Sequence, residues 1–204
     1  MKKALRLDDY AIKQLRTLPE LAGKNPIGRG VFSAVFDGSR PDTVFKLTVD
    51  SVGYWFLNCA AARVEGKHFP KVIKNHGDVG EIKVGSDKFP VFLYEIERLS
   101  PLKQGSEAKK TASWLVRKQR SINWFGAGAQ LKEIAEVANI SRGLKKAIQN
   151  VQNFTCYYDN ARMDMQMANF MERRNGDLVI TDPLFDVAVY DANLGKRRQV
   201  CAYF

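Results

Sequence analysis

The chain has 204 residues, 45% of them hydrophobic, with 15 Gly and 7 Pro, a composition that excludes collagen-like, low-complexity and disordered classes. At this length one domain, or two small lobes sharing a cleft, buries about 70% of the unfolded chain's surface without disulfide or metal staples. Its 32 Lys+Arg against 22 Asp+Glu leave a net charge of +10, which favours polyanionic partners such as nucleotides, nucleic acid or an acidic protein surface. Cys59, Cys156 and Cys201 are scattered and odd in number, so a reducing cytoplasm is expected instead of a disulfide framework or metal knuckle. No apolar run approaches the ~20 residues of a membrane span. Asp8-Asp9 follow the basic start too soon for a signal peptide, so the expectation is a soluble cytoplasmic protein with no membrane partner.

In chain order, Ala11, Ile12, Leu15 and Leu18 predict an amphipathic helix over 8–18, capped by Asp8 or Asp9 and stopped by Pro19. From 27 to 49 the pattern turns β-rich, with turn chemistry at Asp37-Gly38-Ser39-Arg40-Pro41, and predicts a hairpin. A mostly buried helix is expected from Asp50 to about Val64, then short strands over 71–76, 81–84 and 89–94, separated by Gly-containing turns. After Pro101 the pattern predicts helices over 106–123 and 129–152, and then strands at Phe170-Met171 and Leu178-Val179-Ile180. An α+β chain results, strand-rich over 1–100 and helix-rich over 101–204. The basic clusters Lys109-Lys110, Arg117-Lys118 with Arg120, Lys145-Lys146, Arg173-Arg174 and Lys196-Arg197-Arg198 read as solvated faces, or as a surface for nucleic acid or an acidic partner. His68 and His76 read as structural, and Trp55, Trp114 and Trp124 as core.

Three elements carry chemistry. Ile27-Gly28-Arg29-Gly30-Val31-Phe32-Ser33-Ala34-Val35 places two glycines at alternate positions between strands, either a plain turn or a loop whose backbone N–H groups lie over a phosphate. Lys46 sits in the apolar strand Val44-Phe45-Lys46-Leu47, where a lysine either snorkels to an edge or meets an anion in a cleft. In Arg162-Met163-Asp164-Met165-Gln166-Met167-Ala168-Asn169 an Asp precedes an Asn by five positions, and after a hairpin turning at Asn175-Gly176-Asp177 a second strand ends in Thr181-Asp182-Pro183. Singly, each acidic residue could be a cap or turn. Together and in this order, the elements match the parts of a protein kinase: glycine loop, strand lysine, base with its Asn partner, and metal-binding Asp.

The chain resembles the protein kinase fold over roughly 27–186, and Asp164 to Pro183 resembles the early serine/threonine protein kinases of short-tailed lytic bacteriophages. The resemblance implies a minimal two-lobed α+β fold: an N-lobe over 1–100 and a truncated helical C-lobe over 101–204. It implies an ATP- and Mg²⁺-dependent kinase acting on Ser or Thr of host proteins in the host cytoplasm. Asp164 would be the base toward the acceptor hydroxyl, Asn169 and Asp182 would hold Mg²⁺, and Lys46 would contact the α- and β-phosphates. Ile27, Gly28, Gly30, Ser33 and Val35 would cover the nucleotide, and Tyr94-Glu95-Ile96-Glu97 would form a hinge whose backbone binds adenine. The pattern departs from the family at Ser33 (the third loop glycine), Gln166 (a lysine in most serine/threonine kinases) and Pro183-Leu184 (Phe-Gly elsewhere). No acidic residue lies within 52–64, leaving Glu65 as the nearest counterpart of the helix glutamate that pairs with the strand lysine. Only 22 residues follow Asp182, too few for a conventional activation segment and peptide platform. A kinase-like module that binds and inhibits a host protein or nucleic-acid machine without catalysis is the alternative expectation.

Overall fold

The computed structural model describes residues 17–58, 66–84, 87–120 and 140–192. Residues 8–16 of the helix expected over 8–18, the continuation of the buried helix past 58, Glu65, Trp124, the start of the 129–152 helix, Lys196 to Arg198, Cys59 and Cys201 lie outside them. The protein is α+β with antiparallel sheets. Two compact units are formed, one from Met1–Tyr54, Val72–Arg98 and Asp186–Phe204, the other from Trp55–Lys71 and Leu99–Phe185. The chain thus passes between them more than once, and one passage falls at Arg98–Leu99.

The first unit holds a five-stranded sheet of β1 (Pro26–Arg29), β2 (Ser33–Asp37), β3 (Thr43–Thr48), β4 (Val72–Val84) and β5 (Asp87–Glu97), in the order β1-β2-β3-β5-β4. Alternation along the strands sends Ala34, Phe36, Phe45, Leu47, Val91 and Leu93 to one face, where they pack with Leu21, Val49, Ile82 and Val189. Phe36, Leu47 and Leu93 are fully buried, each contributing on the order of 2 kcal/mol by removal from water. On the opposite face Tyr54 stacks on Phe92, with ring centres 4.1 Å apart.

Two expectations change here. The stretch 27–49 is three strands, because a second tight turn closes at Gly30, whose N–H donates to Ser33 O at 2.8 Å. The turn after β2 demands glycine: a Cβ on Gly38 would fall 2.1 Å from Thr43 Oγ1. The short strands expected over 71–76 and 81–84 are one 13-residue strand, β4. Its pairing with β5 shifts register at Val72/Lys74, Asn75/Gly77 and Asp78/Gly80, so the glycines read as strand breaks instead sit in irregularities that the ladder absorbs.

Helix α1 (Ser51–Asn58) runs from the first unit into the second, where its Phe56 ring meets Phe69 and Phe154 edge-on at 5.0 and 5.3 Å. Trp55, expected in the core, is 53% exposed. Helix α2 (Glu107–Arg120) follows the short strand β6 (Ser100–Pro101), and its first turn is capped by Ser106 Oγ, which accepts from Lys109 N. Helix α3 (Arg142–Tyr157) is capped by Ser141 and buries Leu144, Ala147, Ile148, Val151 and Phe154, an apolar stripe at three- and four-residue spacing. Beyond it come β7 (Ala161–Met163), β8 (Phe170–Glu172), β9 (Leu178–Ile180) and β10 (Leu184–Asp186), paired as β6-β8-β9 and β7-β10. The expected hairpin is present, with Phe170 opposite Ile180. Among the described residues no helix is long and apolar enough to cross a membrane.

Candidate functional site

In the first unit, strand register aligns Gly28, Val35, Lys46 and Tyr94 in one row across β1, β2, β3 and β5. Ser33 shares the Val35 face by alternation. Lys46 is only 6% exposed, so its stem is enclosed by this apolar surface and not snorkelled to an edge. Gly30 is where the loop approaches itself: a Cβ there would lie 3.2 Å from Ser33 Oγ. Ile27 occupies the irregularity between the Pro26 and Gly28 pairings and is 52% exposed.

The segment expected to be a hinge lies within β5. Glu97, Ile96, Glu95 and Tyr94 pair with Thr43, Val44, Phe45 and Lys46 on one side, and Ile96, Glu95 and Tyr94 pair with Val72, Lys74 and Asn75 on the other. Tyr94, Glu95 and Ile96 are thus interior to the sheet, Glu97 pairs with β3 alone, and the Arg98 N–H is taken by Asp42 O. The strand ends at Glu97, and the chain leaves the sheet after Arg98. The Glu95 side chain points to the face opposite Lys46 and is 3% exposed. Burial alone would raise its carboxyl, but hydrogen bonds from Ser39 and Thr43 prevail and hold it below the usual carboxylate range.

In the second unit, Asp164, Asn169 and Asp182 converge. Asp164 follows β7, and its N–H donates to Pro183 O at 2.8 Å, tying it to the residue after Asp182. A 3₁₀ turn, Met167–Asn169, reverses the chain into β8. Asn169 O accepts from Thr181 N at 2.8 Å and from Thr181 Oγ1 at 3.0 Å, extending the β8–β9 ladder to the residue before Asp182. The hairpin closes at Gly176 (φ +85°), with Asp177 N donating to Asn175 Oδ1, so the turn sequence itself brings the two ends together.

The side chain of Asn169 donates to the Asp164 main-chain O at 2.7 Å and to Asp164 Oδ2 at 2.9 Å. Both partners are acceptors, so the amide nitrogen must face them and its oxygen is turned the other way. Asp164 Oδ1 is buried and makes no hydrogen bond among the described residues. Burial raises the Asp164 carboxyl above its ordinary range; the Asn169 bond opposes this, the Asp182 charge adds to it, and Gln166 opposes it. The result is a carboxyl oxygen held in place and left unsatisfied, beside a second carboxyl group.

A supporting shell holds this hairpin. The Arg173 guanidinium donates to the carbonyls of Gly66, Lys67 and Phe69. His68 O accepts from Ile180 N at 2.8 Å, and His68 Nδ1 donates to Leu178 O at 2.9 Å, so the 66–69 turn covers the free edge of β9. Burial lowers the His68 pKa, keeping the ring neutral. The structural reading of His68 agrees with this placement, whereas Arg173, in the Arg173-Arg174 pair read as a solvated cluster, turns out to clamp the turn.

Oxygen donors from Asn169 and Asp182 suit a hard cation such as Mg²⁺, which takes one or two carboxylates together with phosphate oxygens. Among the described residues no group of three or more His, Cys, Asp and Glu is arranged to hold a metal by itself. No protein-family model matches the chain, and the search of curated proteins found no match.

Proposed function

We propose that the protein is a phosphotransferase of the protein kinase type, using ATP with Mg²⁺ and transferring the γ-phosphate to Ser or Thr of host-cell proteins. The observation that carries this reading is the Asp164–Asn169 pair: one amide nitrogen pins the acidic residue by two bonds and leaves Asp164 Oδ1 unsatisfied. A general base needs a carboxylate with a raised pKa and a free oxygen in a fixed place. Asp164 would accept the acceptor hydroxyl's proton, while Asn169 and Asp182 would hold Mg²⁺, which when bound offsets the charge on the phosphates. On the first unit's sheet, Gly28, Ser33, Val35 and Lys46 supply a small-residue and apolar face with one cation, suited to a nucleotide and its phosphates. The resemblance of Asp164 to Pro183 to the phage kinases supplies the substrate class and the setting in an infected cell.

Titration calorimetry with ATP, with and without Mg²⁺, and a labelled-phosphate assay in host lysate test the reading. Asp182→Asn should abolish the strengthening of ATP binding by Mg²⁺ together with transfer. Asp164→Asn should bind Mg²⁺-ATP like the parent and lose transfer by the ~10²–10⁴-fold typical of a missing general base. A parent that binds no nucleotide overturns the proposal in favour of a non-catalytic binding module.

A further inference from the structure

On the sheet face opposite Lys46, the first unit contains a cleft of about 450 Å³. Its floor is the cross-strand row Phe45–Glu95–Lys74, and its walls are Pro19 and Glu20 from the 3₁₀ turn Pro19–Leu21, with Lys24 and Ser39. Nothing in the phosphotransfer reading uses it.

Its charges are incompletely matched. Glu95 Oε1 accepts all three of the residue's hydrogen bonds, from Ser39 N at 2.7 Å, Ser39 Oγ at 2.5 Å and Thr43 Oγ1 at 2.5 Å. Oε2 accepts none among the described residues, although the residue is 3% exposed and faces the cleft. Lys24 Nζ donates to Gly38 O at 2.8 Å and lies 5.4 Å above the centre of the Phe45 ring. Neither Lys24 nor Lys74 forms an ion pair with a carboxylate among the described residues, whereas Glu20 is engaged by His76 Nδ1 at 3.2 Å. The cleft thus offers one open carboxylate oxygen and two ammonium groups without carboxylate partners, around an aromatic ring. A cation alone would meet the lysines and an anion alone would meet Glu95. A molecule with both charges satisfies both poles.

We propose that this cleft binds a small zwitterion, a free α-amino acid with an apolar side chain. Its ammonium group sits on Glu95 Oε2, its carboxylate on Lys24 and Lys74, and its side chain on Phe45 and Pro19. The volume is within the range of small-molecule sites and exceeds that of one amino acid, leaving room for bridging water.

Titration calorimetry of the full chain with L-leucine, L-methionine and L-phenylalanine, each beside its amide and its N-acetyl derivative, tests the assignment. At least one amino acid should bind, with both single-charge relatives at least fivefold weaker. Lys74→Met, at an exposed strand position, should weaken the amino acid while leaving its amide unchanged. Glu95→Gln, with its melting curve recorded to verify folding, should weaken the amino acid and the amide alike. Absence of binding by all three amino acids at millimolar concentration overturns the proposal. So does a relative that binds less than fivefold more weakly, or a Lys74→Met variant that binds the amino acid like the parent.

Discussion

Asn169→Ala is the perturbation that tests the central geometry without reference to turnover. It deletes two side-chain hydrogen bonds, at 2.7 Å to the Asp164 carbonyl and at 2.9 Å to its carboxylate, and leaves both acceptors partly buried. A neutral bond contributes about 0.5–1.5 kcal/mol and one to a charged group about 1.5–3 kcal/mol, so the loss is about 2–4.5 kcal/mol. The main-chain bonds of Asn169 to Gln166 and Thr181 survive, so the hairpin is retained and the loss is local. Asn169→Asp sharpens the test, since an ionised carboxylate cannot donate and would face Asp164 and Asp182 at close range. That variant should be less stable than the alanine variant at pH 7. It should recover relative to it at pH 5, where a proton shared with Asp164 restores a donor. Urea unfolding of parent and both variants at the two pH values measures this. An alanine variant within about 0.5 kcal/mol of the parent, in the range of an ordinary surface change, would refute the pinning role.

Lys46→Met keeps the volume of the enclosed lysine stem and should weaken ATP binding about tenfold or more without a comparable loss in melting temperature; unchanged affinity would remove Lys46 from the nucleotide site. Because burial lowers the His68 pKa below its ordinary 6.5, the folded state binds fewer protons than the unfolded chain, so stability contributed by the neutral ring is complete above about 6.5 and falls as pH drops through that value toward the folded pKa. His68→Gln should flatten this dependence between pH 7 and 5, as followed by thermal melts. Arg173→Ala frees three carbonyls of the 66–69 turn and should cost roughly 2–4 kcal/mol, with Arg173→Lys recovering only part because an ammonium cannot span the same fork; equal stability of all three chains would show the contacts to be idle.

Features governed by neighbouring residues were legible in the chain. The Asn175-Gly176-Asp177 turn, with Phe170-Met171 before it and Leu178-Val179-Ile180 after it, defines the hairpin that carries Asn169 and Asp182. Three- and four-residue spacing defines the buried stripe of α3, although the helix continues to Tyr157, beyond the expected end at 152. Local reading failed where glycine has two meanings: Gly77 and Gly80 looked like breaks between strands, yet pairing along β5 carries β4 through them. Nor does local pattern reveal that Glu95 is an interior strand residue whose carboxyl organises the turn over 38–43.

The sequence by itself determined the α+β character, the turn chemistry, the apolar faces and the chemical identity of Lys46, Asp164, Asn169 and Asp182, because each depends on residues a few positions apart. Only the tertiary structure decided that Gly28, Val35, Lys46 and Tyr94 share one row, that Asn169 turns its nitrogen onto Asp164, and that Arg173 and His68 clamp the hairpin to the 66–69 turn. The reason is physical: a one-residue change of strand register moves every side chain to the other face, and a hydrogen bond spanning over a hundred residues leaves no periodic trace in the chain.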